Sequence, residues 1–331
     1  MRPRRLVPVL AVLLLPLAAA ALVPAAEARG KSVIFKLEDP RGDDHGDGSL
    51  VYPLRDDFQP GDLDLLSFSA RAEDGGTTFE ATFARPVRSP GGRTIDIGGG
   101  NLNDVARFGF YTFNLDVYID MDRVAGSGST NMLPGRVAEI APENAWERAV
   151  CLTPRPYEAQ EALRRLMVSA VKRDTKAEKK KKLSEDDLKR LRSEAEADIA
   201  SRVFFPTRIR VTGPKISFFV PDAFLGGPAK DTWSYVVAVS GADVLQKFDV
   251  PAALTGATPS GEGLMILRVV SGRSQDAFGG AREDQEGYQP PLLDVIVPPG
   301  KIQEDVLMDY DPDAHRPVRL PGVVPADVKG K

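Results

Sequence analysis

The chain has 331 residues, 43 of them basic and 47 acidic, with two histidines and one cysteine, and 42% of it is hydrophobic. A net charge of −4 supplies no bulk attraction to nucleic acid or to anionic lipid. The lone Cys151 excludes an intramolecular disulfide, so stability must come from an ordinary core or from a bound ion.

Residues 1–28 have the pattern of a signal peptide. Arg2, Arg4 and Arg5 form a positive start, an apolar run broken by Pro8 and Pro16 follows, and Ala26-Glu27-Ala28 is an Ala-x-Ala cleavage site. A secreted or periplasmic protein with no membrane span after cleavage is expected. Cleavage removes three arginines and Glu27, which leaves 40 basic against 46 acidic residues.

The first predicted strand covers residues 32–37. Asp39-Pro40-Arg41-Gly42-Asp43-Asp44-His45-Gly46-Asp47-Gly48 comes directly after it. Carboxylates packed this densely between glycines cannot share a helix and repel one another unless a cation gathers them. Hard oxygen ligands on a flexible loop suit calcium, and a solvated acidic loop is the alternative. Asp39, Asp43 and Asp44 are the first candidate metal ligands, with Asp120 at a strand end and Asp276 in a turn as partners. Asp47, Asp62 and Asp64 are equally suited to capping turns.

Residues 63–72 and 77–83 read as a hairpin across Glu73-Asp74-Gly75-Gly76. In the strand predicted over 110–119, Phe113, Leu115, Val117 and Ile119 alternate with polar residues, which places one face in a core. Residues 157–201 differ, being almost free of glycine and proline, with Ala162, Leu163, Leu166 and Met167 at helical spacing. Ser184-Glu185-Asp186-Asp187 resembles a capping sequence after a lysine-rich break. These residues predict an inserted helical hairpin, whose apolar faces pack on each other, on the remaining fold or on an envelope protein. Strands are expected again over 208–211, 216–220, 233–239, 265–270 and 292–297, at the spacing of an antiparallel sandwich.

Taken together, Asp39-Pro40-x-Gly42-Asp43-Asp44-x-Gly46, Tyr52-Pro53 and Phe58-x-Pro60-Gly61-x-x-Asp64-Leu65 resemble the opening of the C-terminal binding module of glucodextranase and related amylolytic enzymes. Further matching pieces follow in order: Val117-Tyr118-Ile119-Asp120, Leu133-Pro134-Gly135-Arg136, Ala145-Trp146-Glu147-Arg148-Ala149, Trp233-Ser234-Tyr235, Ser274-Gln275-Asp276-x-Phe278-Gly279 and Leu293-Asp294-Val295-Ile296. The resemblance covers residues 32–321. It implies a DOMON-like, jelly-roll type β-sandwich, similar to family 9 carbohydrate-binding modules, with calcium steadying its loops. The glycosidase domain that usually precedes such a module is not found in the chain, so the resemblance implies carbohydrate binding without sugar processing.

A sugar site needs flat aromatic rings beside polar groups. Trp146 and Trp233 are the only tryptophans, each either a core residue or a platform, while Tyr52 and Tyr288 lie in loops. Catalytic patterns are missing: there is no His-Glu-x-x-His, no Gly-x-Ser-x-Gly, and Gly98-Gly99-Gly100-Asn101 lacks the Lys-Ser/Thr of a phosphate loop. The sequence therefore predicts a secreted, non-catalytic module that binds an α-glucan or envelope polysaccharide and is stabilised by calcium. A structural envelope protein that contacts a partner through the hairpin is the alternative.

Overall fold

A computed structural model describes residues 32–91, 102, 106–179, 184–244, 264–282 and 287–328, with the backbone alone over 172–179. The leader, the glycine run at 98–101 and the lysines at 180–182 lie outside the described residues. In chain order the strands are β1 (Val33–Glu38), β2 (Leu65–Glu73), β3 (Gly76–Phe83), β4 (Phe113–Asp120), β5 (Ala138–Ile140), β6 (Arg148–Leu152), β7 (Val203–Phe204), β8 (Ile209–Thr212), β9 (Lys215–Pro221), β10 (Ser234–Gly241), β11 (Asp294–Val295) and β12 (Val318–Leu320). Helices are α1 (Pro156–Lys179), α2 (Glu185–Arg202), α3 (Asp222–Leu225), α4 (Gln303–Leu307) and α5 (Pro325–Val328).

Two five-stranded sheets, ordered β1-β2-β3-β9-β8 and β11-β10-β4-β6-β7, enclose one apolar core. Strand periodicity decides which side chains enter it: Phe68 and Phe79 of the first sheet and Leu115, Val117 and Ile119 of the second point inward and are fully buried. Rings bridge the layers, Phe83 to Phe113 at 4.7 Å and Phe35 to Tyr235 at 4.6 Å. Each buried ring contributes about 1.5–3 kcal/mol through area removed from water. The fold is the mainly β sandwich expected from the sequence. The hairpin turns at Asp74-Gly75, with Glu73 facing Gly76.

Three features differ from the expectation. The pairs β6–β7 and β5–β12 are parallel rather than antiparallel, because β7 returns only after the helical crossover and β12 only after most of the chain has passed. Residues 265–270 contribute isolated bridges at Ile266 and Val269 instead of a strand, and only Asp294–Val295 of 292–297 is extended within a ladder. Both faces of β4 and β10 are buried, not one, since a second apolar layer covers the back of the second sheet.

That layer contains Tyr118, Trp146, Cys151, Met265, Leu307 and Leu320 together with Ala159, Leu163 and Ile199 from the hairpin. α1 and α2 pack on each other, and their base seals the sandwich. The capping box forms as the sequence suggested, with Ser184 accepting from the Asp187 backbone and Asp187 reaching back. Inside the layer, Arg136 is fully buried and donates to both Asp116 oxygens at 2.6 and 3.0 Å, with further bonds to the carbonyls of Pro134 and Leu264. Among the described residues no helix is long and apolar enough to cross a membrane.

Candidate metal centre and polar sheet face

Carboxylates of the acidic loop and its surroundings divide by what they bind. Asp44 accepts from the Tyr52 hydroxyl and, at 2.7 Å, from the Gly61 amide. Asp47 accepts from Ser49 and from Gln289. Asp62 faces Arg88 at 2.9 Å and Arg85 at 3.5 Å, and Asp57 holds Arg55. Asp57 and Asp62 thus face arginines, although Asp62 Oδ1 has no hydrogen bond, and Asp44 and Asp47 accept from neutral donors.

Asp39, Asp43 and Asp294 behave otherwise. Each offers an oxygen to one point, the three atoms lying within 4.8 Å of one another, and Asp39 Oδ2, Asp43 Oδ1 and Asp294 Oδ1 are buried without a hydrogen-bond partner. Asp39 is held at the end of β1 by its amide bond to the Leu66 carbonyl, and Asp294 is oriented by the Leu65 amide at 2.6 Å. The loop is pinned where the Gln303 amide donates to the carbonyls of Asp43 and Gly46. Gly46 is required there: at φ +63° a Cβ would come within 2.7 Å of the Leu292 carbonyl. Asp64 borders the group, its Oδ2 taken by the Gly42 amide at 2.8 Å and its Oδ1 buried without a partner.

Burial without compensating donors is costly for charged oxygens. Burial pushes the Asp39 carboxyl up to about 7, against the opposing effect of a carboxyl–carboxyl hydrogen bond with Asp294, and Asp43 and Asp64 add like charge. Asp43 rises to about 6, first through burial and then through Asp64 and Glu304. Asp294, wholly buried, is held well above the carboxylate range by burial and by Asp39. Such a group either shares protons or surrounds a cation. The donor set is oxygen only, which suits a hard ion such as calcium; carbonyls and water would complete six to eight ligands.

The sequence candidates are thus distributed among several places. Asp39 and Asp43 come together, and Asp44, their neighbour in the chain, is tied to Tyr52 and Gly61. Asp120 sits in a different acidic group with Asp122 and Glu147. Asp276 is exposed, and its amide donates to Ser274 Oγ. Trp146 and Trp233 are each 5% exposed and Tyr52 is 3% exposed; Trp146 donates to the Asn131 carbonyl and carries Arg202 over its ring. Tyr288 is half-buried and stacks on His315. Sequence reasoning missed Asp294, although an aspartate inside the apolar run Leu292 to Val297 was a usable signal: a buried strand tolerates a carboxylate only where something neutralises it.

The outer face of the first sheet is open, whereas that of the second is covered. It forms a shallow depression of about 500 Å³ lined by Arg71, Thr78, Glu80, Arg210, Lys215 and Phe219. Arg208 lies over the Phe219 ring at 4.4 Å and pairs with Glu73, and Lys215 pairs with Glu80 at 2.8 Å. Paired charges beside one aromatic ring present donors and acceptors to a polar ligand.

A family model described as the C-terminal binding module, SLH-like, of glucodextranase matches residues 34–322. Comparison with curated proteins gives no match.

Proposed function

Because the chain belongs to the family of SLH-like C-terminal binding modules of glucodextranase, we propose that it is a secreted, non-catalytic module that binds an α-linked glucan or another envelope polysaccharide and is held in shape by calcium. The observation that carries the glycan reading is the extent of the family match, residues 34–322, which takes in both sheets and the covering layer. Calcium is supported separately by the three buried, unpartnered oxygens of Asp39, Asp43 and Asp294. Export is supported by the leader pattern at residues 1–28.

The polar depression on the first sheet is the proposed contact surface. Its arginines, lysine and carboxylates offer donors and acceptors for sugar hydroxyls beside the Phe219 ring, one face of which Arg208 covers. Each such bond replaces one to water and the site is shallow, so the affinity expected is micromolar to millimolar. The calcium centre does not touch that surface; it fixes β1, the loop after it and β11, and so keeps the sandwich edges in register.

Co-sedimentation of the mature protein with insoluble α-glucans and bacterial envelope polysaccharides, with the supernatant analysed for released sugars, tests the reading. Retention without product supports it. Release of oligosaccharides would overturn the non-catalytic reading, and failure to sediment with any polymer would shift the account to a protein partner in the envelope.

A further inference from the structure

We infer that the protein has a second divalent-cation site, formed by Asp120, Asp122 and Glu147 and separate from the Asp39 centre. One carboxylate oxygen from each residue lies within 4.8 Å of the others. The acidic grouping alone would be an ordinary surface feature. Its interior is what differs: Asp120 is 2% exposed, and its Oδ2 and the Oε1 of Glu147 are buried with no hydrogen-bond partner.

The remaining oxygens are occupied in ways that aim the free ones. Asp120 Oδ1 accepts from the Arg123 amide at 2.6 Å, and Glu147 Oε2 from the Met121 amide at 2.7 Å. Asp122 accepts from the Val124 amide and from Ser127 Oγ. Neighbouring cations make no hydrogen bond to the free oxygens: the Arg123 guanidinium, whose charge is felt at Asp120, lies 3.9 Å from Asp327, and Arg148 donates to the carbonyls of Phe224 and Glu147. Two buried carboxylate oxygens, Asp120 Oδ2 and Glu147 Oε1, are thus left without a donor, and a cation bound among the three carboxylates would offset the cost of burying them.

Chemistry selects the ion. All three donors are carboxylates, with no imidazole or thiolate, which favours a hard cation, and ligands drawn from one loop and a neighbouring strand suit the flexible coordination of calcium. Gly128 closes the loop over the site. At φ +79° a Cβ there would stand 2.6 Å from Glu147 Oε1 and 2.5 Å from the Trp146 carbonyl. The two centres are distinct: Asp294 pairs with Val239 and hence lies level with Leu115 on β4, while Asp120 pairs with Ser234 five residues further along, roughly 17 Å of strand.

The site has a built-in reporter, since Trp146 adjoins Glu147 and Trp233 adjoins Ser234, the cross-strand partner of Asp120. Terbium added to chelator-treated mature protein should therefore luminesce on tryptophan excitation and be displaced by calcium. Calorimetric titration should count two calcium ions per chain. Asp122→Asn, an exposed and conservative change that leaves the fold intact by circular dichroism, should remove the luminescence or weaken terbium at least about tenfold, leaving one calcium. Glu147→Gln should do the same, while Asp39→Asn and Asp43→Asn should keep the luminescence and remove the other ion. Tryptophan-sensitised emission that is absent in the wild type, or unchanged in folded Asp122→Asn and Glu147→Gln, would overturn the inference. None of these readouts involves a glycan, and the tryptophan-sensitised emission does not depend on the Asp39 centre, so it stands or falls apart from the proposed function.

Discussion

Asp39, Asp43 and Asp294 converge on one buried point with the like-charged Asp64 beside them. In the unfolded chain they ionise near 3.8, whereas in the metal-free fold Asp43 and Asp39 ionise near about 6 and about 7. The native state therefore holds more protons than the unfolded state across that interval, and metal-free stability falls as pH rises through it. Calcium at the proposed centre would bind the ionised form and so reverse the trend. The melting-temperature gap between calcium and chelator should widen from about pH 5 to about pH 8, and a gap independent of pH would contradict the account. Asp43→Asn should remove the calcium increment and raise the chelated melting temperature, because it deletes a buried like charge.

Arg136 offers a second test at this scale. Removing the guanidinium in Arg136→Met strands the buried Asp116, at a cost of about 3–5 kcal/mol in urea denaturation. Adding Asp116→Leu should recover most of that loss. Arg136 was not legible as a core residue in Leu133-Pro134-Gly135-Arg136, since nothing local distinguishes a surface arginine from a buried one whose partner lies 20 residues away. The acidic loop was legible for the opposite reason: its crowding is local, so Asp39 and Asp43 could be named, while Asp294 required knowledge of which strand passes behind the loop.

At the level of elements, the hairpin divides into a base and an arm. Leu163 and Ile199 join the second apolar layer, so Leu163→Ala or Ile199→Ala should each cost about 2–5 kcal/mol. Replacing residues 170–193 by a short Gly/Ser loop leaves both anchors and costs less than about 1 kcal/mol in loop closure, readable in the same urea titration. Loss of folding in that truncation would mean that the arm is part of the core. Long, strongly periodic segments such as β2, β3, β9 and α1 were legible because each carries its own pattern. β5, β7 and β12 were not, being two or three residues long and defined by partners distant in sequence. β4 misled in another way, since alternation identified the inward face correctly but Asn114, Asp116, Tyr118 and Asp120 gave no sign that a second layer would bury them too.

For the whole molecule, the asymmetry between the two sheets matters most. The back of the second sheet is sealed by the hairpin base, α4 and β12, and the open face of the first presents charged pairs and Phe219. A glycan-binding module needs such an exposed polar face. Isothermal titration of soluble α-glucans and envelope polysaccharides into the calcium-loaded mature protein, alongside a Phe219→Ala/Arg210→Ala variant, is the most direct test. The account predicts saturable binding in the micromolar to millimolar range, no heat of hydrolysis, and a loss of about 1 kcal/mol, roughly fivefold in Kd, in the variant. No saturable heat with any polysaccharide in the presence of calcium would contradict it.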